Sequence, residues 1–290
     1  MATLDNLIPP ALVSTQWLAE HLDEPTLAVI DASWHMPAEN KDAREEFYQA
    51  HIPGAVFFDL DQISDPGSEL PHMLPSAEHF SEAISALGIQ NNMDIVVYDT
   101  KGMFSAPRAR WMFRAFGHNR VTVLDGGLPA WRKHQHPLNS NEAVTSTRPA
   151  KKFLTKLNPS MVRSKSQVLA NLELSKEQLV DARSAGRFKG SDPEPRPGLP
   201  SGHIPNSLNL PFNQLIDPEI GLMLPPAQLQ RQFKSTGIDL SRPIVTSCGS
   251  GVTACIIALA LEQLGKTDVA VYDGSWAEWG AANDTPIATD

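Results

Sequence analysis

The sequence predicts an α/β protein of two tandem domains, each built on a mainly parallel sheet flanked by helices. Three observations carry that expectation. The first is an internal duplication. Val29-Ile30-Asp31-Ala32-Ser33 is echoed by Leu179-Val180-Asp181-Ala182-Arg183, and His51-Ile52-Pro53 by His203-Ile204-Pro205. Met73-Leu74-Pro75 returns as Met223-Leu224-Pro225, and Asp125-Gly126-Gly127 with Trp131 as Asp273-Gly274-Ser275 with Trp279. The second is the alternation of short apolar runs with helical stretches, the pattern of a parallel sheet with crossover helices. The third is length: 290 residues suit two domains of roughly 100–200 residues each. The landmarks place a first domain at 1–140, a linker at 141–160 and a second domain at 161–290.

Each predicted element has a local reason. Ile95–Tyr98, Val121–Leu124, Ile244–Thr246 and Val269–Tyr272 are short, mainly apolar and rich in β-branched residues, as strands buried on both faces require. Ser76 to Gly88 starts with a capping serine and stops at a C-cap glycine, so a helix is expected between them. Thr253–Leu264 is apolar nearly all round, which predicts a buried helix. Ser140–Ser160 mixes Ser, Thr, Asn, Lys and Pro without periodicity and reads as a surface linker.

Composition narrows the function. The formal charge is −9, and no Lys/Arg tract stands out. Nucleic acid and anionic membranes are therefore not expected as partners. No apolar run reaches the roughly 18 residues needed to span a bilayer. The stretch Met1–Pro10 lacks the basic start and long apolar core of a secretory signal. The two cysteines, Cys248 and Cys255, cannot make a disulfide framework, so a reducing compartment, the cytoplasm, is expected. There is no Cys-x-x-Cys, no His-Glu-x-x-His, no dinucleotide fingerprint and no Walker loop. No metal or cofactor is expected.

The most informative segment is Thr246-Ser247-Cys248-Gly249-Ser250-Gly251-Val252-Thr253-Ala254. A buried strand ends at a cysteine, a Gly-rich loop follows, and a helix begins. Such a loop directs successive backbone N–H groups inward at a helix N-terminus. That setting favours a thiolate and hence a sulfur nucleophile. The strand's carboxyl end is also where open α/β sheets place ligands. Cys255, among Ala, Ile and Leu, reads as core. A Cys-x5-Arg phosphatase loop is excluded because the sixth residue after Cys248 is Ala254.

Cys248-Gly249-Ser250-Gly251-Val252-Thr253 resembles the active-site loop of the 3-mercaptopyruvate sulfurtransferases of the rhodanese superfamily. The resemblance extends over nearly the whole chain and implies tandem domains with the catalytic cysteine only in the second. Asp99 stands at the matching position of the first copy. Thiosulfate-preferring members carry basic residues within this loop, so Gly249 and Ser250 point to the mercaptopyruvate branch. The implied reaction passes sulfur from 3-mercaptopyruvate through a Cys248 persulfide to cyanide, a small thiol or thioredoxin. Thiosulfate as the donor and a noncatalytic sulfur-sensing module are the rival readings.

The resemblance also assigns the neighbours. Arg187 and Arg196, by themselves solvated loop charges, match the family's substrate-binding arginines; a guanidinium fork suits an α-keto carboxylate. The loop residues Gly249, Gly251, Val252 and Thr253 are expected to line the substrate with them. Asp61 and His72, the latter on its own an ordinary surface histidine, match the family's acid and histidine, with Ser250 as third member of a proton relay. That relay requires the first domain to dock on the second domain's loop. Arg108 reads as an interdomain ion-pair residue, and features shared by both copies, His51 and His203 among them, read as architecture.

Overall fold

A computed structural model describes residues 10–140 and 151–290. The predicted linker's first half and nearly all of the N-terminal stretch lie outside the described residues. Each half carries a five-stranded sheet, parallel throughout. The first is built from β1 (Leu12–Val13), β2 (Leu27–Asp31), β3 (Val56–Phe57), β4 (Asp94–Tyr98) and β5 (Val121–Leu124) in the order β1-β5-β4-β2-β3. The second is built from β6 (Val162–Arg163), β7 (Gln178–Asp181), β8 (Leu208–Asn209), β9 (Ile244–Ser247) and β10 (Val269–Tyr272) in the order β6-β10-β9-β7-β8. The two orders are one order read twice, so the duplication in sequence is a duplication of topology.

The helices sit where their signals place them. The Ser76 hydroxyl accepts from His79 N–H at the head of helix Ala77–Ala86, and Gly88 follows in the left-handed region at φ +74°. Helix Ala254–Gln263 is apolar nearly all round for a specific reason. One side packs on β9 and β10, and another on helix Ala106–Ala115 of the first domain. Arg110 and Arg114 cross that interface to Glu262. One apolar cluster runs through both domains, from Phe113 and Met112 to Ile256 and Leu259, and each domain has a smaller cluster of its own.

A second pair of contacts uses repeated landmarks. Asp125 Oδ1 accepts from Met223 N–H at 2.9 Å, and Asp273 Oδ2 accepts from Leu74 N–H at 2.7 Å. Each copy's strand-end aspartate thus holds the other copy's Met-Leu-Pro turn.

The described part of the linker lies at the surface as expected except at one residue. Phe153 is fully buried and packs on Phe113 and Phe80. Its backbone is tied by Ser81 and Ser85 hydroxyls, and Lys156 and Asn158 N–H donate to the Phe116 and Ala115 carbonyls. Polar composition hides one aromatic anchor, and apolar burial of that ring outweighs the segment's solubility.

Candidate active site

Cys248 follows directly after β9, the central strand of the second sheet, and is almost wholly buried. The loop after it is held from behind. Ser275 Oγ accepts the N–H groups of Cys248 (3.2 Å) and Gly251 (3.1 Å) and donates to the Tyr272 carbonyl at 2.8 Å. The Cys248 and Gly249 carbonyls accept from Trp276 and Ala277 N–H. Gly251 must be glycine: its φ is +76°, and a Cβ there would stand 2.9 Å from Arg108 Nη1 and from the Asp273 carbonyl oxygen.

This corrects part of the expected amide ring. The Gly251 N–H is turned to Ser275, and its carbonyl accepts from Arg108 and the Cys255 thiol. Gly251 is engaged on both sides in holding the loop, Val252 is buried, and Thr253 starts the following helix without a side-chain cap bond.

The first copy shows what such a loop does with an anion. Asp99 Oδ2 accepts the N–H groups of Phe104 (2.7 Å), Ser105 (2.9 Å) and Ala106 (2.9 Å), and its Oδ1 accepts from Lys101 N–H. Four backbone donors converge on one carboxylate at a helix N-terminus, which is an anion nest already filled.

Arg187 and Arg196 converge over Gly249. A Cβ on Gly249 would lie 3.2 Å from Arg187 Nη2 and 3.6 Å from Arg196 Nη1, so the missing side chain is the room they occupy. Arg187 sits on the short helix Ala185–Lys189 rather than in the loop expected for it. Glu194 binds it bidentately, at 3.0 and 2.6 Å, and also accepts from Arg183 at 2.8 Å. Arg196 Nη2 donates to Ser250 Oγ at 3.2 Å. Burial pulls the Arg196 pKa down, the Cys248 sulfur opposes this, and the Arg187 charge adds to the lowering.

The three expected relay members meet across the domain interface. His72 is buried, with Nδ1 3.0 Å from Ser250 Oγ and Nε2 3.1 Å from Asp61 Oδ1. Ser250 already accepts from Arg196, so its own hydrogen points to Nδ1, and the neutral imidazole carries its proton on Nε2 toward Asp61. Burial is the main influence on His72 and lowers its pKa below the usual 6.5, against the pull of Asp61. Asp61 is held below the ordinary carboxylate range chiefly by its hydrogen bond to His72. The His72 backbone is in the left-handed region at φ +60°, and its carbonyl accepts from the buried Arg108. Arg108 also pairs with Asp273 at 2.7 Å. The ion-pair role expected for it is what the structure shows.

Several functional neighbours carry no sequence signal of their own. Glu194 lies two residues before Arg196, and an acid close to two expected anion-binding arginines is the clue that finds it. Ser275 and Trp34 are not recognisable before the fold assembles them. Among the described residues no group of three or more His, Cys, Asp or Glu side chains is placed to hold a metal ion.

Comparison with known proteins gives the family and its fold. The rhodanese-like domain family matches residues 14–134 and again 164–282. A 3-mercaptopyruvate sulfurtransferase of Rattus norvegicus is 48% identical over 275 residues, covering 93% of this chain and 91% of the relative. The mitochondrial thiosulfate/3-mercaptopyruvate sulfurtransferase 1 of Arabidopsis thaliana is 48% identical over 294 residues, covering 95% of this chain and 77% of the relative. The crystal structure of SseA from Escherichia coli, a 3-mercaptopyruvate sulfotransferase, superposes with a TM-score of 0.83 at 40% identity, over 92% of this chain and 98% of its own.

Proposed function

The chain belongs to the rhodanese family, and on that premise we propose that it is a 3-mercaptopyruvate sulfurtransferase working through a persulfide on Cys248. The observation that carries this reading is the convergence of two guanidinium groups and a hydroxyl on the loop that begins at Cys248.

The Cys248 thiolate attacks the sulfur of 3-mercaptopyruvate while Arg196 and the free edge of Arg187 hold the keto acid. The donor's carbon–sulfur bond breaks, its electrons pass into an enolate, and sulfur stays on Cys248 as a persulfide. The donor's thiol proton leaves through Ser250 to His72 and returns to the enolate carbon, giving pyruvate. Asp61 holds the imidazole in the tautomer this requires. The persulfide is stabilised by the helix N-terminus and the loop's remaining N–H groups. An acceptor thiolate or cyanide then takes the outer sulfur and restores the thiolate. Candidate acceptors are cyanide, a small thiol and a thioredoxin-like dithiol. No cofactor enters any step, and the kinetics are ping-pong.

Both cysteines are free, which supports work in a reducing compartment such as the cytoplasm. Among the described residues no helix is long and apolar enough to cross a membrane. Thiosulfate is the competing donor, since the Arabidopsis relative carries both donors in its name. The absence of a basic side chain at positions 249 and 250 favours the keto acid. Turnover on the two donors, read as pyruvate and sulfide release, tests the choice. Preference for 3-mercaptopyruvate is expected, and a wide preference for thiosulfate would reverse it.

A further inference from the structure

The relay begins at a carboxylate that is mostly exposed: the Asp61 side chain keeps 65% of its accessibility, whereas His72 keeps 2%. A solvated carboxylate is free to rotate and to exchange its partner for water. Here Trp34 Nε1–H opposes both, bridging the two carboxylate oxygens at 3.2 Å to Oδ1 and 3.1 Å to Oδ2. The same indole meets the His72 ring edge-on, with centroids 4.6 Å apart at 84°. One side chain therefore fixes both members of the Asp61–His72 pair.

Trp34 is fixed in turn. Phe104 lies parallel to it, 6.2 Å away at 8°, and meets Phe212 of the second domain at 5.8 Å. Phe104 belongs to the loop whose N–H groups, its own included, converge on Asp99. We propose that Trp34 is a positioning residue that acts through Asp61, and that the Asp99 loop, which holds no sulfur nucleophile, serves the second domain's chemistry as its abutment. This rests on the relay described above. The physical basis is orientation: a proton relay loses rate when a member leaves its productive geometry, even if substrate binding is untouched.

The test is a double-mutant cycle on 3-mercaptopyruvate turnover with Trp34→Phe, Asp61→Ala and the pair. Trp34→Phe keeps the ring and removes the donor. It is expected to lower kcat several-fold with KM within about two-fold, at an unchanged melting temperature. In the Asp61→Ala background it is expected to cost nothing further. Phe104→Leu is expected to give the same kcat-only loss at smaller amplitude; a wild-type kcat there would overturn the role of the Asp99 loop. Wild-type kcat in Trp34→Phe beside an impaired Asp61→Ala would overturn the Trp34 proposal while leaving the relay intact. So would an equal further loss in the Asp61→Ala background, which marks a merely structural effect. An Asp61→Ala protein with wild-type turnover would instead remove the relay, and this proposal with it.

Discussion

His72 Nδ1 lies 3.0 Å from Ser250 Oγ, although one belongs to the first copy of the repeat and the other to the second copy's loop. The contact exists only while the two domains are docked, so in the proposed mechanism the pairing of the copies is part of the site's chemistry. Arg108 secures it, donating to the His72 carbonyl and to the Gly251 carbonyl from one buried guanidinium.

The first prediction concerns pH. Burial lowers the His72 pKa from 6.5, so the neutral imidazole that accepts from Ser250 survives into mildly acid solution. The acid limb of kcat/KM for 3-mercaptopyruvate is expected below pH 6.5, and His72→Asn is expected to lose roughly 10²-fold in kcat, at the lower end of general acid–base catalysis. The linked effect on stability has a definite sign. The unfolded chain takes up this proton more readily, so stability is full above pH 6.5 and falls as pH drops below it. Rate profiles and denaturant titrations across that window measure both.

A second prediction separates the two donors. Arg187→Ala and Arg196→Ala each remove a charge-assisted contact worth about 1.5–3 kcal/mol. They are expected to reduce kcat/KM for 3-mercaptopyruvate by about 10- to 100-fold, and for thiosulfate by less. Equal losses on both donors would mean that the arginines do not read the keto acid. Gly249→Ala is expected to raise KM for 3-mercaptopyruvate a few-fold, because its methyl would stand 3.2 Å from Arg187 Nη2 and crowd the end of that guanidinium group.

The third prediction uses the duplication as its own control. In the second copy Asp181 is paired with Arg183; in the first, Ser33 stands in that place and Asp31 is buried with no ion-pair partner among the described residues. Burial pushes the Asp31 carboxyl up to about 6 from 3.8. The folded state binds this proton more tightly than the unfolded one, so stability falls as pH rises from about 4 to 6 and stays reduced above. The penalty is on the order of 3 kcal/mol at neutral pH. Asp31→Asn is therefore expected to raise the melting temperature at pH 7–8 and to bring no gain near pH 4.

A fourth prediction addresses docking. Arg108→Gln leaves Asp273 buried without its cation, a loss of about 3–5 kcal/mol for a broken buried pair. The denaturant midpoint is expected to fall sharply, and Arg108→Gln with Asp273→Asn together is expected to recover part of the loss.

Much of this was legible in the sequence because a duplicated chain repeats its punctuation. The buried strands β4, β5, β9 and β10 announce themselves by short, mainly apolar runs rich in β-branched residues, and Ser76 and Gly88 mark a helix by capping chemistry alone. The residues that meet at the candidate site are singled out mostly by resemblance, since nothing local separates His72 from a surface histidine. What sequence could not supply was tertiary. Phe153 anchors a polar segment, Ser275 takes up the Gly251 N–H, and Trp34 reaches Asp61 only after the fold brings them together. Each depends on a partner many positions away, which periodicity and spacing do not encode.

Intact-mass measurement after incubation with 3-mercaptopyruvate tests the central claim most directly. The wild-type protein is expected to gain one sulfur atom on Cys248 with release of pyruvate, to lose it on adding a thiol, and to show neither change as Cys248→Ser. A wild-type mass that never changes, or a Cys248→Ser protein that still takes up sulfur, would contradict the account.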